Sequence, residues 1–298
     1  MSMDLDSVDL NLSTGITQHH EPYPFIAALN KPTSLTGRIA LVTGASRGIG
    51  RNTALAFAAA GASVAVLART AADLATLASE IKEKYGTPVL AITGDVLADP
   101  GSIVCHVEEK LGKIDILVNN AGIYRMSHFP QEKDISAYWR VFEVNVKGPL
   151  SLLHAVLPGF QKRGKGTVIT SSYDASKAAV QKGIQILDME LRELGVLNFL
   201  IQPGTMATYL GKGAVIGEEF EVLLSGYAKY MIDSIDLPAQ SMVALAVLAG
   251  NEKDKGGDER VKRLSGRYWD VSDDLEQILE KSAEIAERDL YHLRIRKL

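Results

Sequence analysis

A run of apolar residues, Ile39-Ala40-Leu41-Val42-Thr43, breaks into the turn Gly44-Ala45-Ser46-Arg47-Gly48-Ile49-Gly50, and a helical pattern follows at once. This transition constrains the fold more than any other stretch of the chain. A short, continuous apolar run is how a parallel strand buried on both faces reads. A glycine-rich turn that leaves such a strand and opens a helix is a dinucleotide-binding fingerprint. Gly44 allows the tight turn, Gly48 lets the main chain approach a pyrophosphate, and Gly50 lets helix and strand pack closely. The helix N-terminus then offers free N–H groups to the anion.

Strand and helix patterns alternate from there. Strands are expected at 63–68, 88–92, 114–118, 166–171 and 196–202, and helices at 49–60, 70–84, 99–112, 137–160 and 173–194. Alternation of this kind builds βαβ units and a parallel sheet covered on both faces. The fold class is therefore α/β, a Rossmann-type doubly wound sheet in a single domain. A later helix follows Pro238, a last strand falls near Gly266-Arg267-Tyr268-Trp269, and 272–290 reads as an acidic amphipathic helix with Leu275, Ile278, Leu279 and Ala286 inward. Residues 1–36, interrupted by Pro22, Pro24 and Pro32, read as a poorly ordered arm. The domain then spans 37–272, with a helical extension over 273–298 and a solvated loop at 251–260.

Composition removes several classes of function. The formal charge of the 298 residues is −4, with Lys and Arg scattered, which argues against a nucleic-acid surface. No apolar run has the length to span a bilayer. One cysteine, Cys105, excludes an internal disulfide and fits a reducing compartment. His19 and His20 have no Cys or Glu at metal-ligand spacing, so no metal is expected. The start of the chain carries Asp4, Asp6 and Asp9 rather than a signal-like apolar core, and the ending Arg296-Lys297-Leu298 lacks the small residue of a peroxisomal signal. The expected location is the cytoplasm.

Chemistry enters with Tyr173 and Lys177, four apart and so on one face of a helix. An ammonium beside a phenol favours the phenolate; moving its pKa from ~10 to near neutrality takes about three units, roughly 4 kcal/mol. Such a pair is a general acid/base at a carbonyl or alcohol oxygen. The second strand, Ser63-Val64-Ala65-Val66-Leu67, leads into Ala68-Arg69 with no acidic residue to bond a ribose 2′-hydroxyl. Arg69 and Arg47 instead suit a 2′-phosphate through charge-assisted hydrogen bonds, and the reading is NADP(H). Taken singly, each has a plain alternative: two exposed residues on a helix, two surface charges.

In their order along roughly residues 36–272, these motifs resemble the short-chain dehydrogenase/reductase superfamily. Thr43 to Gly50, with Ser46 and Ile49 inside it, matches the family's glycine motif. Asp95-Val96 is similar to its adenine-contacting pair. Asn119-Asn120-Ala121-Gly122 matches the motif that steadies the central sheet against the cofactor. Asn145 resembles the structural and catalytic Asn that holds a water leading to the Lys. Pro203-Gly204, with Met206 and Thr208, resembles the segment that contacts the nicotinamide carboxamide. The resemblance implies that Tyr173 is the general acid in reduction and the base in oxidation. Lys177 then lowers its pKa and binds the nicotinamide ribose. A Ser at the end of the fifth strand, Ser171 or Ser172, positions the substrate carbonyl. In relatives the helices bearing Trp139, Phe142 and the Tyr form a four-helix interface, which implies a homodimer or homotetramer.

One departure matters. In the family the Ser precedes the Tyr by about a dozen residues; here Ser171-Ser172 abut Tyr173. A two-residue step spans at most about 7 Å, yet Ser and Tyr must converge on one oxygen. Ser171 reaches that arrangement more readily than Ser172, which points the opposite way if still in the strand. Three readings stay open: an active enzyme with an opened pocket, a catalytically impaired NADP binder acting as scaffold or sensor, and a gene model or transcript that dropped a block. A non-redox enzyme on the same fold, such as a cyclase or isomerase, is a further alternative. The segment 208–238, with Tyr209, Leu210, Phe220, Leu223, Leu224, Tyr227, Tyr230 and Met231, reads as a substrate lid suited to an apolar carbonyl or alcohol compound. The long arm and the ending Ser265-Gly266-Arg267-Tyr268-Trp269-Asp270 resemble longer fungal members, many of which act on secondary metabolites.

Overall fold

Seven strands realise the alternation, each parallel to its neighbours. The computed structural model describes residues 15–125, 134–171, 175–206, 231–250 and 258–292. Strand β1 (Ile39–Thr43) lies in the middle, between β2 (Ser63–Ala68) and β4 (Ile116–Asn119). With β3 (Val89–Thr93), β5 (Gly166–Ser171), β6 (Val196–Gln202) and β7 (Tyr268–Asp270), the order is β3-β2-β1-β4-β5-β6-β7. All of β1 is buried, which is why its sequence does not alternate.

Two apolar layers cover the sheet. On one face pack α2 (Gly48–Ala59), α3 (Ala71–Tyr85) and α8 (Asp236–Gly250), through residues such as Phe57, Leu77 and Met242. On the other pack α4 (Pro100–Lys110), α6 (Gly148–Arg163) and α7 (Ala175–Glu193), through Val107, Leu152, Phe160 and Leu191. The chain order reverses between β1 and β4, and a doubly wound sheet opens its binding crevice at the carboxyl ends of the strands there.

The structure corrects four expectations. The helix read over 137–160 is three pieces: α5 (Ile135–Phe142), a wider π turn (Glu143–Lys147) and α6. The N–H of Gly148 reaches back five residues to the carbonyl of Glu143. Apolar spacing runs on through such a turn, so periodicity does not reveal it. The helix read over 272–290 is α10 (Leu275–Glu280) and α11 (Ser282–Glu287), and Ile285 takes the buried place expected of Ala286. Within the loop read at 251–260, Asp258 caps a short helix α9 (Glu259–Lys262); 251–257 lie outside the described residues.

The fourth correction is the largest. Residues 15–36 are not a loose arm. Pro24 opens helix α1 (Pro24–Leu29), the place where its missing N–H costs nothing. Ile26 is fully buried and Tyr23 and Leu35 nearly so. The main-chain N–H of Leu275 donates to the Tyr23 hydroxyl at 2.7 Å, and His19 stacks on the Tyr23 ring at 3.8 Å. The hydrogen-bond partner of Tyr23 lies 252 residues away, where no local pattern can announce it. Among the described residues no helix is long and apolar enough to cross a membrane.

Candidate active site

Two loops meet at the crevice, one leaving β1 and one leaving β4, and Thr43 binds them together. Its buried hydroxyl accepts from the N–H of Asn120 (3.0 Å) and of Ala121 (2.9 Å) and donates to the carbonyl of Val118 (3.2 Å). The Asn120 side chain returns the contact, donating from Nδ2 to the Thr43 carbonyl at 3.0 Å. A Cβ on Gly50 would stand 2.4 Å from both the Gly44 carbonyl oxygen and Asn120 Nδ2, so only glycine fits. Gly44 itself has φ +66° and no room on the Ala121 side. Gly48 differs: φ is +58°, and a Cβ there would meet nothing within 4 Å. Open space beside a bare main chain at the start of a twelve-residue helix is a cradle that suits a pyrophosphate.

The other residues expected at the cofactor end lie in the turns after β1, β2 and β3. Arg47 is the exposed N-cap residue of α2, with half-buried Ser46 before it; Ile49 follows and packs on the core. Arg69 is exposed directly after β2. Asp95 Oδ1 accepts from the N–H of Leu97 at 2.9 Å, and Oδ2 pairs with Arg140 at 3.0 Å. Arg140 carried no signal in the sequence, and it joins α5 to the turn after β3. Val96 is buried, and a Cβ on Gly148 would sit 2.9 Å from its Cγ2, so the start of α6 packs closely on the turn after β3.

Asn145 is fully buried in the π turn, and its amide is spent on two neighbours. Oδ1 accepts from the N–H of Ile123 (2.9 Å); Nδ2 donates to the carbonyl of Ile123 (2.8 Å) and to Ser176 Oγ (3.0 Å). Asn145 thus fastens the end of the Asn119–Gly122 loop to the first turn of α7. Ser176 is the partner that sequence reasoning missed.

Of the residues expected to do the chemistry, Ser172, Tyr173 and Thr208 lie outside the described residues, as do the Lys177 side chain and most of the expected lid. Lys177 follows Ser176 on α7, and α7 begins at Ala175 only residues 172–174 after β5 ends at Ser171. Ser171 is wholly buried. Pro203 and Gly204 follow β6; Pro203 is buried and Met206 half-buried. Gly204 has φ +89°, and a Cβ there would stand 2.7 Å from Asp233 Oδ2. Trp139 is 61% exposed on α5. With Phe142, Val146, Leu150, His154 and Pro100 it lines an open groove of about 860 Å³ on the outer helical face, not at the crevice.

Comparison with known proteins agrees with this geometry. A family model described as short chain dehydrogenase matches residues 38–218. The chain is 35% identical to a short chain dehydrogenase of Pseudocercospora fijiensis, over 91% of this chain and 92% of that one. Its fold matches L-sorbose reductase from Gluconobacter frateurii, solved with NADPH and L-sorbose, with TM-score 0.66, 25% identity, and 81% and 97% of the two chains covered. A 7α-hydroxysteroid dehydrogenase complexed with NADH and 7-oxo glycochenodeoxycholic acid matches with TM-score 0.66 and 26% identity over 84% and 97%. The chain belongs to the short-chain dehydrogenase family, a family of oxidoreductases that bind a nicotinamide cofactor.

Proposed function

We propose that the protein is an NADP(H)-dependent oxidoreductase acting on a carbonyl or alcohol substrate, with Tyr173 as general acid/base assisted by Lys177. The observation that carries the reading is the Gly44–Gly50 cradle locked to Asn120 at the sheet's reversal point. The bound nicotinamide would supply or accept the hydride. Gly44, Ser46, Gly48, Ile49 and Gly50 would hold the pyrophosphate, and Asp95 with Val96 the adenine. Asn120, Ala121 and Gly122 would back the ribose, and Pro203, Gly204, Met206 and Thr208 the carboxamide. Arg47 and Arg69, both exposed and with no acid at the end of β2, favour a 2′-phosphate over a free hydroxyl. One structural neighbour holds NADPH and another NADH, so the preference rests on these two side chains.

For the chain's own part, Asn145 fixes the first turn of α7 through Ser176, one residue before Lys177. An ammonium held there stabilises the Tyr173 phenolate and makes its proton available to a substrate oxygen. Because Ser171 is closed off from solvent, the hydroxyl that orients the carbonyl is assigned to Ser172, against the preference drawn from strand geometry alone. The test is Tyr173→Phe. Turnover across a panel of apolar ketones should vanish while NADPH affinity stays within about twofold, a difference of ~0.4 kcal/mol. Retained turnover removes Tyr173 from the mechanism.

A second reading has its own support. Its starting point is the sequence itself, in which Ser171 and Ser172 directly precede Tyr173. So short a β5–α7 connection favours a binder of NADP(H) whose catalysis is impaired. Tight NADPH binding with no turnover on any carbonyl of the panel would support it; one good substrate would sink it.

A further inference from the structure

Residue 20 lies in the segment that the sequence reads as a loose arm, yet it touches Asp233 and Ser234 just before α8, and Asp233 in turn holds the turn after β6. His20 Nδ1 is 2.7 Å from Asp233 Oδ1. The other carboxylate oxygen of Asp233 accepts from the main-chain N–H of Thr205, and the Asp233 N–H donates back to the Thr205 carbonyl at 3.2 Å. The carboxylate is also pressed against Gly204, where it excludes any Cβ. The Asp233 side chain is only 7% exposed. The Ser234 N–H closes the contact on the His20 carbonyl at 2.7 Å. One buried carboxylate therefore sets the position of Gly204 and Thr205, and an arm residue sets the carboxylate. The neighbouring His19 faces elsewhere, with Nε2 at 2.7 Å from Asp274 Oδ2 next to α10.

We propose that His20 and Asp233 are positioning residues for the nicotinamide half of the cofactor site, so that the N-terminal arm completes that site. This deepens the functional reading above and rests on it, since that reading places Pro203, Gly204, Met206 and Thr208 against the nicotinamide. An Asp233 carboxylate without His20 has one oxygen left to rotate on, and the Gly204–Thr205 turn loosens with it. The adenosine half, held by the loops after β1, β2 and β3, does not depend on this contact.

The experiment uses the full-length chain and two probes: NADPH, and adenosine 2′,5′-bisphosphate, which lacks the nicotinamide. His20→Ala should weaken NADPH about three- to tenfold, up to the ~1.4 kcal/mol that tenfold represents, and leave the bisphosphate unchanged. His20→Asn should restore NADPH binding, because the Asn amide places an N–H donor where Nδ1 stands. His19→Ala should lower the melting temperature and leave both affinities alone. A parallel loss of both probes in His20→Ala, or an equal loss of NADPH in His19→Ala, makes the arm merely structural and overturns the proposal. So does an unchanged NADPH affinity in His20→Ala. If the unmutated chain binds the bisphosphate and not NADPH, or binds neither, the functional reading itself falls and this inference falls with it.

Discussion

Single residues near the carboxyl edge of the sheet carry conflicting demands, and Asp270 shows the conflict most plainly. Burial pushes its carboxyl above the ordinary range, with the charge of Asp233 adding to the rise; Ser272 hydrogen bonds and His20 pull the other way. Burial raises Asp273 as well. A raised carboxyl means that the folded chain binds more protons than the unfolded one. Its stabilising share is complete below the unfolded value of ~3.9 and is lost as pH climbs through the raised folded value. Asp270→Asn keeps Oδ1, which accepts from the Ser272 N–H at 2.9 Å and hydroxyl at 2.8 Å, and removes the charge. The variant should melt higher than the parent at about pH 8, and the gap should close as the pH falls to about 4. A lower melting temperature at the alkaline end would mean that the charge is needed there. Nothing in the sequence marks Asp270, because its environment is assembled from the arm, the return at Asp233 and β7. Gly50 stands at the opposite extreme. Its role was legible from spacing alone, since the fingerprint encodes a backbone contact that glycine alone permits.

Among the elements, strands were read well and helix interruptions poorly. β2, β5 and β6 fall on their expected bounds because buried parallel strands leave unbroken apolar runs. The π turn between α5 and α6 was not legible, although it organises the site's second half. It turns the Asn145 amide onto both main-chain groups of Ile123 and onto Ser176. Asn145→Ala strips three hydrogen bonds at once and leaves polar groups unmet, a loss of about 2–4 kcal/mol. Ser176→Ala removes only one of the three and should cost about 1 kcal/mol. Thermal melts of both variants check this order. Equal losses would show that the Ile123 contacts contribute little, and that the turn is held by packing rather than by the amide.

At the scale of the molecule, the first described residues and the last ones are joined across one end of the sheet. Thr17 Oγ1 accepts from Gln277 Nε2 at 2.8 Å, the His19 N–H donates to the Ser272 carbonyl at 2.7 Å, and Tyr23 takes the first N–H of α10. Burial at this join pushes the Tyr291 phenol up to about 12. The sheet and the glycine turn at its reversal point were legible because each of their parts has a local signature: an apolar run, a glycine turn, a helical period. The join was not, because α1 is too short to show a period and its proline looks like a breaker until it proves to be the first helical residue. Ile26 decides between the two pictures. If the arm were loose, Ile26→Ala would leave the melting temperature where it is. In the packed arm Ile26 is fully buried against the core that includes α8 and α10, and its truncation should cost about 2–5 kcal/mol. For a chain of this size each kcal/mol moves the midpoint by about 1.5 °C, so a fall of about 3 °C or more is expected. The same variant should release the arm as a unit, and limited proteolysis near Tyr23 should then outpace cleavage elsewhere in the described fold. A melting point unchanged from the parent would return residues 15–36 to the status of a tail, and with it the contact of His20 with Asp233.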